Sequence, residues 1–212
     1  MENKIFTIYE KLLYAFGYQN WWPVHQGIDR FLEVSVGAIL TQNTNWSNVE
    51  KAIENLIKEN LLEWDALANI ETEKLGKLIR PAGFYRQKAG YIKNFVNVVK
   101  NKPKKDITRD FLLSLTGIGE ETADSILLYG LDRPYFVVDA YTKRLFYRAG
   151  IINSSKIKYP QLQKLITDNI PQDLEIYKEY HALIVELGKN YCKKKPVCES
   201  CPIKNTCQQN LK

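Results

Sequence analysis

Leu115-Thr116-Gly117-Ile118-Gly119-Glu120-Glu121 decides how this chain is read. Two glycines flank one apolar residue, between the apolar run Phe111-Leu112-Leu113 and a helix-like run that begins at Glu120. The pattern predicts a tight turn between two helices, with backbone N–H groups facing an anion at the positive start of the second helix. An ordinary helix connection would use the same residues, so the turn needs support from elsewhere. Asp139 supplies some. It stands twenty residues beyond Gly119, in Phe136-Val137-Val138-Asp139-Ala140-Tyr141, and adds one carboxylate of the kind that site chemistry uses.

Outward from the turn, helical periodicity dominates. Ile28, Phe31, Leu32, Ser35, Val36, Ile39 and Leu40 keep the one-face spacing of an amphipathic helix, as do Ile5, Ile8, Tyr9, Leu12 and Phe16. Further helices are expected near Trp46–Lys58, Glu71–Ile79, Arg86–Lys100, Thr108–Leu115, Glu120–Tyr129, Val137–Arg148, Tyr159–Asn169 and Leu174–Lys189. Breaks fall at Trp22-Pro23, Arg80-Pro81-Ala82-Gly83, Lys102-Pro103, Arg133-Pro134 and Ile170-Pro171. No run alternates as a strand does, and no repeat or low-complexity linker is visible. The fold class is therefore all-α, with about ten or eleven helices.

Charge is sorted along the chain. The 212 residues carry a net +6, yet Arg80–Lys105 holds eight basic residues and no acid, and Lys189–Lys212 holds six lysines against Glu199. Those segments carry +8 and +5, which leaves −7 for the remainder. Such sorting favours a polyanion-binding face over a uniformly solvated surface. No run of eighteen apolar residues occurs, and the first residues lead into an amphipathic pattern without signal-peptide architecture. A soluble, intracellular, cytoplasmic protein is expected, nucleoid-associated if prokaryotic, acting as a monomer and away from membranes.

All four cysteines lie in one terminal stretch, as Cys192-x5-Cys198-x2-Cys201-x5-Cys207. Two disulfides are not expected in an intracellular chain, so metal ligation is the better reading. Four thiolates without a histidine suit a structural zinc or a [4Fe–4S] cluster. Zinc sites often use two CxxC pairs; the single pair here tilts the choice toward iron and sulfur.

Read together, the glycine turn, Asp139 and the four-cysteine loop resemble the endonuclease III superfamily of helix-hairpin-helix DNA glycosylases, over about Phe31 to Cys207. The resemblance implies a six-helix barrel over residues 27–131 that carries the hairpin. It also implies a second lobe joining residues 1–26 to 132–212, with the iron–sulfur loop at 192–207. The implied partner is double-stranded DNA containing a damaged base, and the implied activity is base excision repair.

On the matching positions, Leu115, Gly117 and Gly119 would hold the DNA backbone through main-chain N–H groups; Thr116 stands where many relatives have proline. Gln42, in Leu40-Thr41-Gln42-Asn43-Thr44, would fill the gap left by the extruded nucleotide. Asp139 would stabilise the oxocarbenium-like sugar and orient water, after the base has been flipped from the stack. Trp21-Trp22-Pro23 looks like the base-stacking segment of the 3-methyladenine glycosylase branch, although two core tryptophans would read the same way.

Glu121 departs from the pattern: relatives that also cut the backbone carry a lysine at this point of the hairpin, and a carboxylate cannot form an imine. A monofunctional glycosylase is expected, with an alkylated purine such as 3-methyladenine as substrate. Lys143, one turn beyond Asp139, is the nearest candidate for a substitute amine; a phosphate contact or a place on a solvated face is the role expected of it. Two further departures bear on substrate and cofactor. The alkyl-base enzymes closest in look lack a cluster, and the first cysteine spacing is x5 where x6 is common. A bifunctional glycosylase/lyase, an enzyme for uracil, thymine or an oxidised base, and a non-catalytic lesion-binding protein are the alternatives. His25 and His181 are expected to be satisfied core histidines.

Overall fold

The structure, a computed structural model, describes residues 3–209; Lys212, which closes the second basic segment, lies outside them. Among the described residues there are eleven α-helices and no strands, and none of the helices is long and apolar enough to cross a membrane. The chain divides into two compact units, one continuous over Trp22–Asp132 and one joining Met1–Trp21 to Arg133–Lys212.

The continuous unit is built around α2 (Arg30–Thr41), whose residues from Phe31 to Leu40 are all buried. Asp29 starts it by accepting the N–H of Leu32, which satisfies one of the donors a helix start leaves open. Around it lie α3 (Trp46–Lys58), α4 (Trp64–Asn69), α5 (Thr72–Leu78), α6 (Tyr85–Val99), α7 (Arg109–Leu113) and α8 (Glu120–Ser125). The last continues without a break into a π-helical turn, Ile126–Gly130. Gly130 lets that turn lie against α2, since a Cβ there would come within 3.2 Å of Phe31. The short α4 is absent from the periodicity reading because six residues give a helical pattern too little length to register.

The other unit contains α1 (Lys4–Phe16), α9 (Ala140–Arg148), α10 (Tyr159–Thr167) and α11 (Leu174–Asn190). Buried Ile5, Ile8, Tyr9 and Leu12 of α1 and the almost wholly buried Tyr177–Leu187 stretch of α11 form its centre. Helix α9 starts at Ala140 rather than at Val137. The reason is Asp139, whose carboxylate caps the helix through the N–H of Thr142 and leaves Phe136–Val138 as buried non-helical chain.

Candidate active site

In the continuous unit, the hairpin is locked from several sides. Gly117 has φ +87°, and a Cβ there would drive into the Tyr91 ring, so both conformation and space demand glycine. Gly119 is different: its φ is −94° and nothing lies within 4 Å of where a Cβ would be. Its missing side chain leaves the start of α8 uncovered. Arg109 of α7 binds Asp124 of α8 in two contacts, of 2.7 and 3.2 Å, and so ties together the helices on either side of the turn. The side chains of Leu115 and Ile118 are buried. Besides the exposed Thr116, the turn therefore presents backbone.

Gln42 ends α2 and turns its carboxamide onto the hairpin, donating to the Gly117 carbonyl at 2.8 Å and to the Thr122 hydroxyl at 3.1 Å. Gln42 and the turn are thus one hydrogen-bonded body. Phe84 stands 63 % exposed at the start of α6. Its backbone is left-handed, φ +45°, an unfavourable conformation for a bulky residue that tends to persist at functional positions. Sequence reasoning missed it; the Gly83-Phe84-Tyr85 turn was the available signal.

Trp22 and Pro23 line a cavity of about 190 Å³ with His25, Glu33, Gly37, Trp46, Glu50 and Glu54 among its walls. Gly37 makes room for the indole, since a Cβ would come within 2.9 Å of it. Trp46 meets Trp22 edge-on at 5.0 Å. His25 is no core histidine: its side chain is 52 % exposed and its Nδ1 lies 2.6 Å from buried Glu33.

The basic segment Arg80–Lys105 is less of an open face than its sequence implies. Lys88 is buried and donates to the carbonyls of Leu40 and Ala82, both at 2.8 Å. Burial without a carboxylate partner pushes its pKa down to about 8. Lys93 bonds the carbonyls of Ala68 and Ile70, and Lys100 pairs with Asp65. A count of charges cannot tell which cations a helix turns inward.

In the split unit, Asp139 is nearly sealed, with 8 % of its surface exposed. Its Oδ1 accepts the N–H and the hydroxyl of Thr142 at 2.7 and 2.8 Å, and its Oδ2 lies 3.8 Å from Nε2 of His181 on α11. Burial pushes the carboxyl up, but His181 and Thr142 more than offset it and hold it below the usual carboxylate range. Trp21 lies in this unit, its ring 5.7 Å from His181, with the Lys189 ammonium 5.6 Å from its centre. The paired tryptophans therefore go to different units. Lys143 is partly exposed on α9.

None of the four cysteines is in a disulfide. All four line one small cavity closed by Leu145, Leu187, Val197 and Ile203. Among the described residues, however, no three ligand side chains converge as a single metal ion requires. Burial pushes the Cys201 and Cys207 thiols up, and the neighbouring cysteines add to the shift. Helix α9 holds the loop. Arg144 donates to the Cys192 carbonyl at 2.6 Å, and Arg148 bonds the Lys193 carbonyl and stands 3.4 Å from the Cys192 sulfur.

The profile of the HhH-GPD superfamily of base excision DNA repair proteins matches residues 36–172, which span the hairpin and Asp139. The chain belongs to that superfamily. A Methanocaldococcus jannaschii protein described provisionally as a DNA repair glycosylase is 54 % identical over 97 % of this chain and 98 % of its own length. Endonuclease III of Thermotoga maritima is 31 % identical over 87 % of this chain and 85 % of its own. Among solved structures, Helicobacter pylori 3-methyladenine DNA glycosylase bound to 1,N6-ethenoadenine superposes with a TM-score of 0.77. It is 31 % identical, covering 87 % of this chain and 97 % of its own. An endonuclease III–DNA complex gives a TM-score of 0.85 at 23 % identity, over 99 % and 96 % of the two chains, and shows the shared fold.

As a base excision DNA glycosylase, the protein acts on N-glycosyl bonds. The continuous unit of the glycosylase brings Gln42 onto the hairpin that carries Gly117 and Gly119; Phe84 is an exposed residue of the same unit. Its split unit brings Asp139 together with Thr142 and with His181, which sequence reasoning assigned to the core. His181 is buried as expected, but its neighbour is the candidate catalytic carboxylate. The missed signal was its place on a helix that returns, 42 positions later, to the start of α9.

Proposed function

We propose that the glycosylase is monofunctional: Asp139 and water remove a flipped base, and the strand is left uncut. The supporting observation is the state of Asp139, a buried carboxylate kept ionised by Thr142 and His181. That state suits stabilisation of positive charge on a sugar. The exposed Glu121 of α8 occupies the hairpin position at which lyases carry an amine. Backbone N–H groups at Gly117 and Gly119 would grip the phosphate. Gln42 would occupy the vacated stack and Phe84 would wedge beside it, as apolar side chains do in kinked DNA.

The proposed substrate is an alkylated purine such as 3-methyladenine, a cationic base suited to an electron-rich tryptophan face, with Trp22 beside Pro23 in the continuous unit and Trp21 in the split unit as the two candidates. The likeness to a structure that holds 1,N6-ethenoadenine supports it. A second reading, release of uracil or thymine, is favoured by the four-cysteine loop, which the alkyl-base branch lacks. It also has a 24 % identical relative in the thymine-DNA glycosylase of Aeropyrum pernix. Cys192, Cys198, Cys201 and Cys207 would hold a [4Fe–4S] cluster. They line one cavity, and the single CxxC pair favours iron and sulfur over zinc. The cluster's contribution would be structural.

A panel of duplexes carrying 3-methyladenine, 7-methylguanine, hypoxanthine, uracil, 8-oxoguanine or an oxidised pyrimidine tests the substrate. Release of the alkylated purines is expected, and release of uracil alone would replace the first reading by the second. Borohydride trapping tests the mechanism. A covalent adduct lost on Lys143→Ala would overturn the monofunctional assignment. Visible absorbance in the blue separates iron–sulfur from zinc.

A further inference from the structure

The two oxygens of Asp139 are in different situations. Oδ1 takes both bonds from Thr142, which uses the two lone pairs such an oxygen offers. Oδ2 keeps its acceptor capacity and faces Nε2 of His181 at 3.8 Å, with 6 % of the histidine side chain and 10 % of the aspartate side chain exposed. That distance exceeds a direct hydrogen bond, but contacts of this kind shorten or take in one water when a reacting complex forms.

His181 also touches Trp21, their rings 5.7 Å apart and inclined at 58°. The backbone that leads into Trp21 is held by the same helix. Buried Glu179 of α11 accepts the N–H groups of Gln19 and Asn20 at 2.7 and 2.8 Å, and Asn20 is left-handed at φ +53°. Two buried residues of α11 therefore divide the work: Glu179 fixes the segment before Trp21, and His181 touches the Trp21 ring and meets the open oxygen of Asp139.

We propose that His181 is a positioning residue for base excision: it presents Oδ2 of Asp139 to the reacting sugar and holds Trp21 on the same support. This rests on the reading of Asp139 as the group that stabilises the sugar cation. A core histidine with no such role would be equally buried, so the test must separate folding from orientation.

The probes are two duplexes that need no knowledge of the base. One carries a pyrrolidine ring as a cationic mimic of the sugar, the other a neutral tetrahydrofuran abasic analogue. Fluorescence anisotropy gives the ratio of their affinities, expected to favour the cation by at least about tenfold in the wild type. His181→Phe should bring that ratio close to one, with affinity for the neutral site unchanged within about threefold. His181→Asn, which fits the space but cannot reach Oδ2, should do the same and decides the matter if the phenylalanine variant does not fold. His181→Gln keeps an N–H near the place of Nε2 and should restore most of the preference.

An unchanged ratio in the Phe and Asn variants would overturn the positioning role, even if both affinities fell together. Failure of the underlying reading looks different: Asp139→Asn would then show the same ratio as the wild type.

Discussion

Lys88 and Asp139, one buried charge from each unit, are handled in opposite ways. In the continuous unit Lys88 is enclosed with no carboxylate beside it, held by two carbonyls that close helical turns, and burial brings its pKa down to about 8. In the split unit Asp139 is enclosed as deeply, but a hydroxyl, an N–H and an imidazole face it, and its pKa goes down although burial alone would raise it. For the lysine, a lower pKa means that its charge is disfavoured; for the aspartate, that it is favoured. The first pattern belongs to a structural strut, the second to a group that must be ionised when it acts.

Removing the charge of Asp139 should have the largest effect. Asp139→Asn is expected to slow single-turnover base release on the order of a thousandfold and to leave affinity for an abasic-site duplex nearly unchanged; equal losses in both would mean that the carboxylate only supports the fold. Because its folded pKa is depressed, the stabilisation from ionised Asp139 is full above the unfolded value and lost as pH falls through the folded one. The acid limb of wild-type base release should therefore lie below about pH 4.

Gly117→Ala should cost roughly 2–3 kcal/mol of stability, since it strains a positive φ and overlaps the Tyr91 ring. Thermal denaturation reads this directly, and a change below about 0.5 kcal/mol would show that the hairpin relaxes freely.

Lys88 makes a prediction of opposite sign to Asp139. Its folded pKa lies below the unfolded one, so the unfolded chain holds the extra proton between about pH 8 and 10 and stability rises with pH across that window. Relative to Lys88→Met, the wild type should gain about 2 kcal/mol between pH 8 and 10 in urea titrations. Parallel curves for the two proteins would mean that the ammonium is solvated after all.

The smallest effect on folding is expected at Gly119→Ala. An open site with φ −94° accepts a methyl group, so stability should change by less than about 1 kcal/mol. Affinity for duplex DNA should fall several-fold, because the methyl stands where a phosphate would approach. Unchanged affinity would remove Gly119 from the grip.

What could be read from the chain follows the same division. The hairpin and its glycines depend on residues within one or two helical turns, and the helices they predict are present. The inward turn of Lys88 and the left-handed Phe84 depend on how helices meet, which no periodicity carries. Helix α4 was too short to register, and Val137 looked helical because it is apolar and buried, although the cap at Asp139 keeps it out of α9.

The sequence by itself determined the all-α class, the superfamily, the hairpin and the four-cysteine loop, because each is written in contiguous residues whose local geometry tolerates few alternatives. Only the tertiary structure decided which tryptophan goes to which unit, which lysines leave the surface, and that His181 stands at the open oxygen of Asp139. Those outcomes depend on burial and on contacts between distant segments, such as Gln19 and Glu179, 160 residues apart. Their energies exist only once the helices have packed.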